Sequence, residues 1–154
     1  MKEKIWIIIP AFNEEKTIGK LLERLRGLGY QNVIVVDDGS KDKTAEIAQK
    51  EGAWVLRHIV NRGVGGALRT GFKAVLSTPA EIIVMMDADL QHRPEEIEKL
   101  IKPIFDKKAD VVLGVRKKFS EKQPILRKLA NLIANWTTFL LFGVKVSDSQ
   151  SGFR

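Results

Sequence analysis

The chain has 154 residues, 44% of them hydrophobic and 29% charged, and this composition predicts one soluble globular domain, residues 1–154, with a sizeable core. The absence of cysteine excludes disulfides and thiolate metal sites. The net charge of +7, from 26 lysines and arginines against 19 aspartates and glutamates, favours an anionic partner, but the basic residues are scattered without interleaved aromatic residues, so nucleic acid is not expected.

Short apolar runs alternate with helical patterns along the first 115 residues. The apolar runs predict strands at residues 5–9, 32–36, 53–57, 81–86 and 110–115. Apolar residues at helical spacing predict a first helix that ends near residue 28, followed by helices at 44–50, 63–76 and 94–105. This order predicts an α/β fold in which a Rossmann-like, mostly parallel sheet lies between layers of helices.

The two ends of the chain carry no predicted membrane span. The apolar run at residues 5–9 is too short for a signal peptide core. Near the other end, apolar residues recur at helical spacing from Leu126 to Phe142, in a stretch too short and too polar to cross a bilayer. Its apolar surface is broadest between Trp136 and Phe142, and it either joins the core or lies on a membrane.

The predicted strand at 81–86 ends in two carboxylates, Asp87 and Asp89. In an extended backbone, residues two apart project to the same side. The carboxyl ends of strands in open α/β sheets are where ligands bind. Because two neighbouring carboxylates repel each other, we expect a divalent cation that carries a phosphate between them. His92, shortly after the pair, is either a ligand or a loop residue.

Polar residues also follow the first two predicted strands. Asn13 and Glu14 come after the first strand, and Asp37 and Asp38 come after the second. Parallel strands would bring these groups together with Asp87, and Asp37 or Asp38 could accept hydrogen bonds from a base or a ribose. In the structural alternative, Asn13 caps the first helix and residues 38–40 form only a turn.

A glycine-rich loop at residues 61–69 opens the third predicted helix. Its backbone N–H groups could hold an anion, with Arg62 or Arg69 adding charge-assisted hydrogen bonds. It is not a dinucleotide fingerprint, because Leu68 occupies the third glycine position, and it lacks the lysine of a phosphate-binding loop. His58, just before this loop, is interpreted as a surface residue at a strand end.

Five motifs, in this order, resemble the family 2 glycosyltransferases, and specifically the branch that contains dolichol-phosphate mannose and polyprenyl-phosphate glucose synthases. The motifs are residues 9–15, residues 36–40 with Asp42 and Thr44, residues 61–71, residues 87–92 with Pro94 and Glu95, and residues 148–154. Together they cover most of the chain. Each motif alone is modest evidence, but five in the family's order are highly specific.

The resemblance implies a GT-A fold and metal-dependent, inverting transfer of a hexose from a UDP- or GDP-linked donor. It implies a polyprenyl or dolichyl phosphate acceptor, peripheral membrane contact, and a location in the cytoplasm at the cytoplasmic face of a membrane. The implied Mg²⁺ or Mn²⁺ ligands are Asp87, Asp89 and Gln91, and the implied catalytic residues are Asp89 and Asp148. The implied donor-binding residues are Pro10, Ala11, Phe12, Asn13, Glu14, Asp37, Asp38, Arg69, Asp87 and Ala88.

Two departures from the family pattern and two alternatives accompany this interpretation. Val64 stands where many relatives carry lysine, and relatives continue past the motif that ends at Arg154, which implies that the chain lacks a C-terminal part. One alternative is a phosphohydrolase with Asp87 as nucleophile and Asp89 as acid and base. The other is a remnant that binds nucleotide sugars without transferring them.

Overall fold

The computed structural model describes residues 2–114 and 152–154, and its centre is a sheet of four strands. The strands are β1 (Ile5–Ala11), β2 (Val33–Asp37), β3 (Trp54–Arg57) and β4 (Ile82–Met85). They lie in the order β3-β2-β1-β4, and every neighbouring pair is parallel. Their carboxyl ends therefore open at one edge of the sheet. The predicted α/β fold with a mostly parallel sheet is confirmed.

Helices cover both faces of this sheet. They are α1 (Ile18–Gly27), α2 (Thr44–Lys50), α3 (Gly63–Val75) and α4 (Ile97–Phe105), and short 3-10 turns occupy Lys2–Lys4 and Pro94–Glu96. Buried side chains of α1, α2 and α4 share one core with one face of the strands. Buried side chains of α3 share a second core with the other face. The sheet is therefore enclosed on both sides.

The nearly continuous apolar strands follow from this enclosure, because residues that point to either face are buried. In β1, Ile7 and Ile9 belong to the core of α1 and α4, whereas Ile8 between them belongs to the core of α3. Helix α3 reaches Ile8 because Gly71 has no side chain: a methyl group there would overlap the Ile8 side chain. This close approach holds the first turn of α3 near the carboxyl ends of β1 and β2.

Four predicted strands and four predicted helices are confirmed, with ends that differ by at most three residues. The predicted fifth strand is wrong within its described part, residues 110–114, which is irregular. Its apolar sequence resembles a buried strand, yet Val111 is 73% exposed. The Gly114 N–H donates to Phe153 O at 2.8 Å, so this segment contacts the C-terminal residues through the backbone.

The predicted helical stretch from Leu126 to Phe142 and the candidate base Asp148 lie outside the described residues. Within the described part of the chain, no helix combines the length and the apolar character needed to cross a bilayer.

Candidate functional site

The chain segments that follow β1, β2 and β4 enclose a cavity of about 210 Å³ at the carboxyl edge of the sheet, which we call the strand-end pocket. Most of the site residues expected from the sequence line it. Two residues of α3 complete the wall: Val64, which the sequence singled out only as a departure from the family pattern, and Ala67, which it did not single out. The lining residues are Pro10, Ala11, Phe12, Glu14, Asp38, Val64, Ala67, Asp87, Ala88 and Asp89.

Asp87 and Asp89 both line this pocket, but not for the reason that the sequence suggested. Strand β4 ends at Met85, and the chain turns at residues 88–89 instead of continuing as extended backbone. Leu90 has a φ of 62°, a left-handed conformation that is uncommon for a residue with its side chain. The Gln91 N–H then donates to Asp89 Oδ1 at 2.9 Å, which closes the turn.

Gln91 and Asn13 lie outside the pocket lining. Gln91 is exposed, and it contacts Asp89 through its backbone N–H. Asn13, with a φ of 56°, joins the first two strand ends. Its N–H donates to Ser40 Oγ and its Oδ1 accepts from the Lys41 N–H, both at 2.9 Å. Asn13 does not cap α1, because that helix begins at Ile18.

Asp37 and Asp38 point away from each other, as successive residues at a strand end do. Asp37 is fully buried, and its Oδ1 accepts from the Ser40 N–H at 3.0 Å. Its Oδ2 lies 3.0 Å from Arg57 Nε without hydrogen-bond alignment, so that contact is an ion pair only. Asp38 instead faces the strand-end pocket. The adjacent carboxylates therefore have different surroundings.

His58 fixes the Asp38 carboxylate from behind. Its Nδ1 lies 2.6 Å from Asp38 Oδ1 and its Nε2 lies 2.9 Å from Thr70 Oγ1 on α3. The Arg62 N–H donates to the same Asp38 oxygen at 2.9 Å. The interpretation of His58 as a surface residue is wrong, because its side chain is only 8% exposed. The sequence carried no signal for this contact, which joins the residues directly after β2 and β3 to a residue of α3.

These contacts set the ionisation of Asp38. Burial raises the pKa of its carboxyl, but the hydrogen bonds from the Arg62 N–H and from His58 outweigh burial, so the pKa lies below the ordinary value. The carboxylate is therefore ionised at neutral pH, with one oxygen held by donors from the protein.

We expect Asp38→Asn to destabilise the fold at pH 7 and to lose this effect in acid. Because the folded-state pKa is lowered, the ionised carboxylate stabilises the protein above the unfolded pKa, about 3.9. That stabilisation is lost as the pH falls from there through the lower, folded-state value. The free energy of unfolding of both proteins, measured by urea titration at pH 7 and at stepwise lower pH, should converge.

The exposed carboxylate of Asp106 provides the control, because Asp106→Asn removes the same charge outside the pocket. Its effect on the free energy of unfolding should be within about 0.5 kcal/mol of zero at each pH. An Asp38→Asn deficit that stayed constant as the pH fell would contradict the assignment of the lowered pKa to the folded state.

The residues of the glycine-rich loop line three different cavities. Val64 and Ala67 line the strand-end pocket. Arg69 does not: it lines a separate cavity of about 490 Å³ on α3, together with Arg62 and Lys73. Gly63 begins α3 with a φ of 76°, which favours glycine because a side chain is strained there. Arg69 and the paired carboxylates therefore line different cavities.

The C-terminal residues lie against β4 and reach the same edge of the sheet. The Met85 N–H donates to Arg154 O at 2.7 Å, and the Arg154 N–H donates back to Met85 O at 3.1 Å. A cavity of about 270 Å³ between this segment and α3 shares the lining residues Pro10, Val64 and Asp87 with the strand-end pocket. The Gly152 backbone is so close to Asp87 that a methyl group on Gly152 would overlap the carboxylate. The sequence motif predicted no such contact.

The carboxylates of Asp87 and Asp89 could supply two ligands to a divalent cation. Among residues 2–114 and 152–154, no group of three or more histidine, cysteine, aspartate or glutamate side chains is placed to bind a metal ion. Mg²⁺ is commonly bound by one or two carboxylates, with water and substrate phosphates as the other ligands. The donor set therefore fits a metal that arrives with a phosphate.

Comparisons with known proteins agree with this geometry. Residues 6–148 match the family model described as "Glycosyl transferase family 2". The chain is 48% identical to the uncharacterized protein MJ1222 of Methanocaldococcus jannaschii, over 99% of this chain and 64% of that protein. It is 39% identical to UDP-N-acetylglucosamine–dolichyl-phosphate N-acetylglucosaminyltransferase of Methanococcus voltae, over 97% of this chain and 68% of that protein.

A solved structure shows the same arrangement of elements. It is glucosyl-3-phosphoglycerate synthase from Mycobacterium tuberculosis in complex with Mn²⁺ and UDP-glucose, with a TM-score of 0.68 and 25% identity. The match covers 98% of this chain and 55% of that chain. The chain thus spans between about half and two thirds of the length of these relatives.

Proposed function

The chain belongs to glycosyl transferase family 2, and from this membership we propose that it transfers a hexose from a UDP-linked donor to a polyprenyl or dolichyl phosphate. Its likeness to the solved glycosyltransferase also establishes the GT-A fold. The observation that carries the proposal is the strand-end pocket, where Asp87 and Asp89 face residues from the ends of β1 and β2.

The end of the pocket formed by β1 and β2 suits the nucleoside. Phe12 is 44% exposed and offers an aromatic face on which a base can stack. The Asp38 and Glu14 carboxylates line the same wall and can accept hydrogen bonds from base N–H groups or ribose hydroxyls. Asp37 supports this wall from beneath through Ser40. A uridine nucleotide is favoured because the Methanococcus voltae relative and the solved structure are both named with UDP-sugars.

The other end of the pocket suits the diphosphate. Asp87 and Asp89 would hold Mg²⁺ or Mn²⁺, which supplies a Lewis acid that neutralises the charge growing on the leaving diphosphate. Val64, in the first turn of α3, lines the same pocket and adds no charge to it. The charged groups available to a metal-bound diphosphate in this part of the lining are therefore the two carboxylates.

The chemistry of the acceptor decides whether a base is needed. A phosphate monoester has a second pKa of about 6, so its oxygen is largely ionised at neutral pH and can attack the sugar directly. The bond between that oxygen and C1 forms as the bond from C1 to the diphosphate breaks, and the nucleoside diphosphate leaves with the electron pair. One such displacement inverts the configuration at C1. Asp148 would then position the acceptor, whereas a hydroxyl acceptor would require it as a base.

A thermal-shift screen of UDP, GDP and their hexose derivatives, with and without Mn²⁺, tests the proposed donor. We expect UDP and UDP-sugars to raise the unfolding temperature only in the presence of Mn²⁺. A ligand at 100 times its Kd stabilises the folded state by about 2.7 kcal/mol.

Three other outcomes have defined meanings. Stabilisation by GDP instead of UDP would overturn the choice of nucleotide and leave the reaction class standing. Phosphate release from simple phosphomonoesters, without a nucleotide requirement, would favour the phosphohydrolase. Metal-dependent UDP binding without any transfer to dolichyl phosphate would identify a nucleotide-sugar-binding remnant.

A further inference from the structure

His92 occupies a place behind the metal-side carboxylate of the strand-end pocket. Its side chain is 7% exposed, and its Nε2 lies 3.2 Å from Asp87 Oδ2. The left-handed turn at Leu90 directs the chain back toward β4 and brings His92 within reach of Asp87. His92 does not line the strand-end pocket, so it is placed to contact the carboxylate and not the bound donor.

The imidazole of His92 is itself held by the C-terminal segment. It stacks on Phe153 with ring centroids 5.2 Å apart and planes at 20°. Phe153 is 5% exposed, and its carbonyl accepts from the Gly114 N–H at 2.8 Å. The next residue, Arg154, pairs with Met85 at the end of β4. Each partner of the imidazole is therefore anchored to the sheet or to the segment beside it.

We propose that His92 is a positioning residue that orients the Asp87 carboxylate toward the metal-bound diphosphate, and that Phe153 keeps the imidazole in place. A carboxylate that binds a metal through one oxygen can rotate, and a hydrogen bond to the other oxygen fixes its direction. Loss of such a supporting hydrogen bond commonly lowers metal affinity by about 10- to 100-fold. This inference rests on the proposed function, because the metal and the diphosphate are the ligands that Asp87 would be oriented for.

Two substitutions separate the hydrogen bond of His92 from its packing. His92→Phe keeps an aromatic ring that can stack on Phe153 but cannot donate to Asp87. His92→Gln keeps an N–H donor without the ring. If His92 serves only as a buried packing residue, His92→Phe should lower the Mn²⁺ affinity less than His92→Gln does. If His92 orients Asp87, His92→Gln should lower the Mn²⁺ affinity less than His92→Phe does.

The measurement is the affinity for Mn²⁺ in the presence of saturating UDP, followed by the electron paramagnetic resonance signal of free Mn²⁺, with the unfolding temperature of each variant. We expect His92→Phe to raise the apparent Kd for Mn²⁺ about 10-fold or more, and His92→Gln to remain closer to the wild type. Wild-type affinity in His92→Phe would overturn the proposal. The proposal would also be overturned if both variants bound Mn²⁺ more weakly in proportion to the fall in their unfolding temperatures.

A second measurement does not depend on the donor, so it tests the positioning role of His92 separately from the proposed function. The ¹⁵N chemical shift of His92 Nε2 is measured in the wild type and in Asp87→Asn. The hydrogen bond requires this shift to change when the carboxylate becomes an amide, and an unchanged shift would overturn the positioning role. Failure of the wild type to bind Mn²⁺ with UDP would instead overturn the proposed function, whatever the shift of His92.

Discussion

Asp89→Asn should lower metal-dependent transfer by roughly 100-fold or more while leaving the fold intact. Removing one of two carboxylates weakens the hold on a metal that supplies several kcal/mol of charge stabilisation, and each 1.4 kcal/mol corresponds to a factor of 10 in rate. The asparagine keeps a side-chain oxygen that can accept from the Gln91 N–H, so the turn after β4 should persist. Transfer to dolichyl phosphate and the unfolding temperature are measured on the same preparation.

Asp106→Asn serves as the matched control. It makes the same chemical change at a carboxylate that pairs with Lys102 and Lys108 away from the pocket. Transfer by this variant should stay within twofold of the wild type. If Asp89→Asn kept full activity in Mn²⁺, Asp89 would not be a metal ligand. The two alternatives, a phosphohydrolase and a remnant that only binds nucleotide sugars, would then have to be tested again.

Gly152→Ala should weaken metal-dependent binding of UDP by about 10- to 100-fold. The added methyl group would overlap the Asp87 carboxylate, so either the carboxylate or the C-terminal segment must move. Disturbing the support of a metal-binding carboxylate commonly lowers metal affinity by about 10- to 100-fold. Titration of UDP at fixed Mn²⁺, followed by calorimetry, gives the affinity, and the same titration without Mn²⁺ separates the metal-side loss from a loss of nucleoside contacts.

Gly27→Ala is the control for adding a methyl group. Gly27 is the last residue of α1, and nothing lies within 4 Å of the position that a Cβ would occupy. UDP affinity should be unchanged, with a small gain in stability from the better helix former. If Gly152→Ala bound UDP and Mn²⁺ as the wild type does, the C-terminal segment could not lie as close to Asp87 as described.

Local sequence patterns predicted the regular elements well because burial on both faces imposes them. The five residues of β2 are all buried, and the sequence there is correspondingly apolar up to Asp37. The same reasoning failed at residues 110–114, where an apolar run pairs with no strand among the described residues. An apolar run records a tendency to be buried or paired, whereas a strand also needs a neighbour with free backbone groups, and that neighbour is not encoded locally.

The side chains of the pocket were predicted as a group but not individually. Parallel strands bring polar strand ends to one edge, so Glu14, Asp38 and Asp87 could be expected together. Asp37 and Asp38 could not be distinguished, because both faces of a parallel strand are apolar and the sequence does not say which face carries α3. Arg69 lies outside the pocket because the close packing of α3 on β1 at Gly71 sets the rotation of that helix.

The α/β order of elements, the parallel sheet, the polar strand ends and the resemblance to family 2 glycosyltransferases could all be predicted from the amino-acid sequence. The three-dimensional packing was needed to show that Asp38 and not Asp37 faces the pocket, that His58 and His92 stand behind its carboxylates, and that Gly152 lies against Asp87. The difference comes from the range of the interactions. Burial and backbone pairing leave periodic patterns along the chain, whereas hydrogen bonds and close contacts between distant segments depend on side-chain directions that no local pattern records.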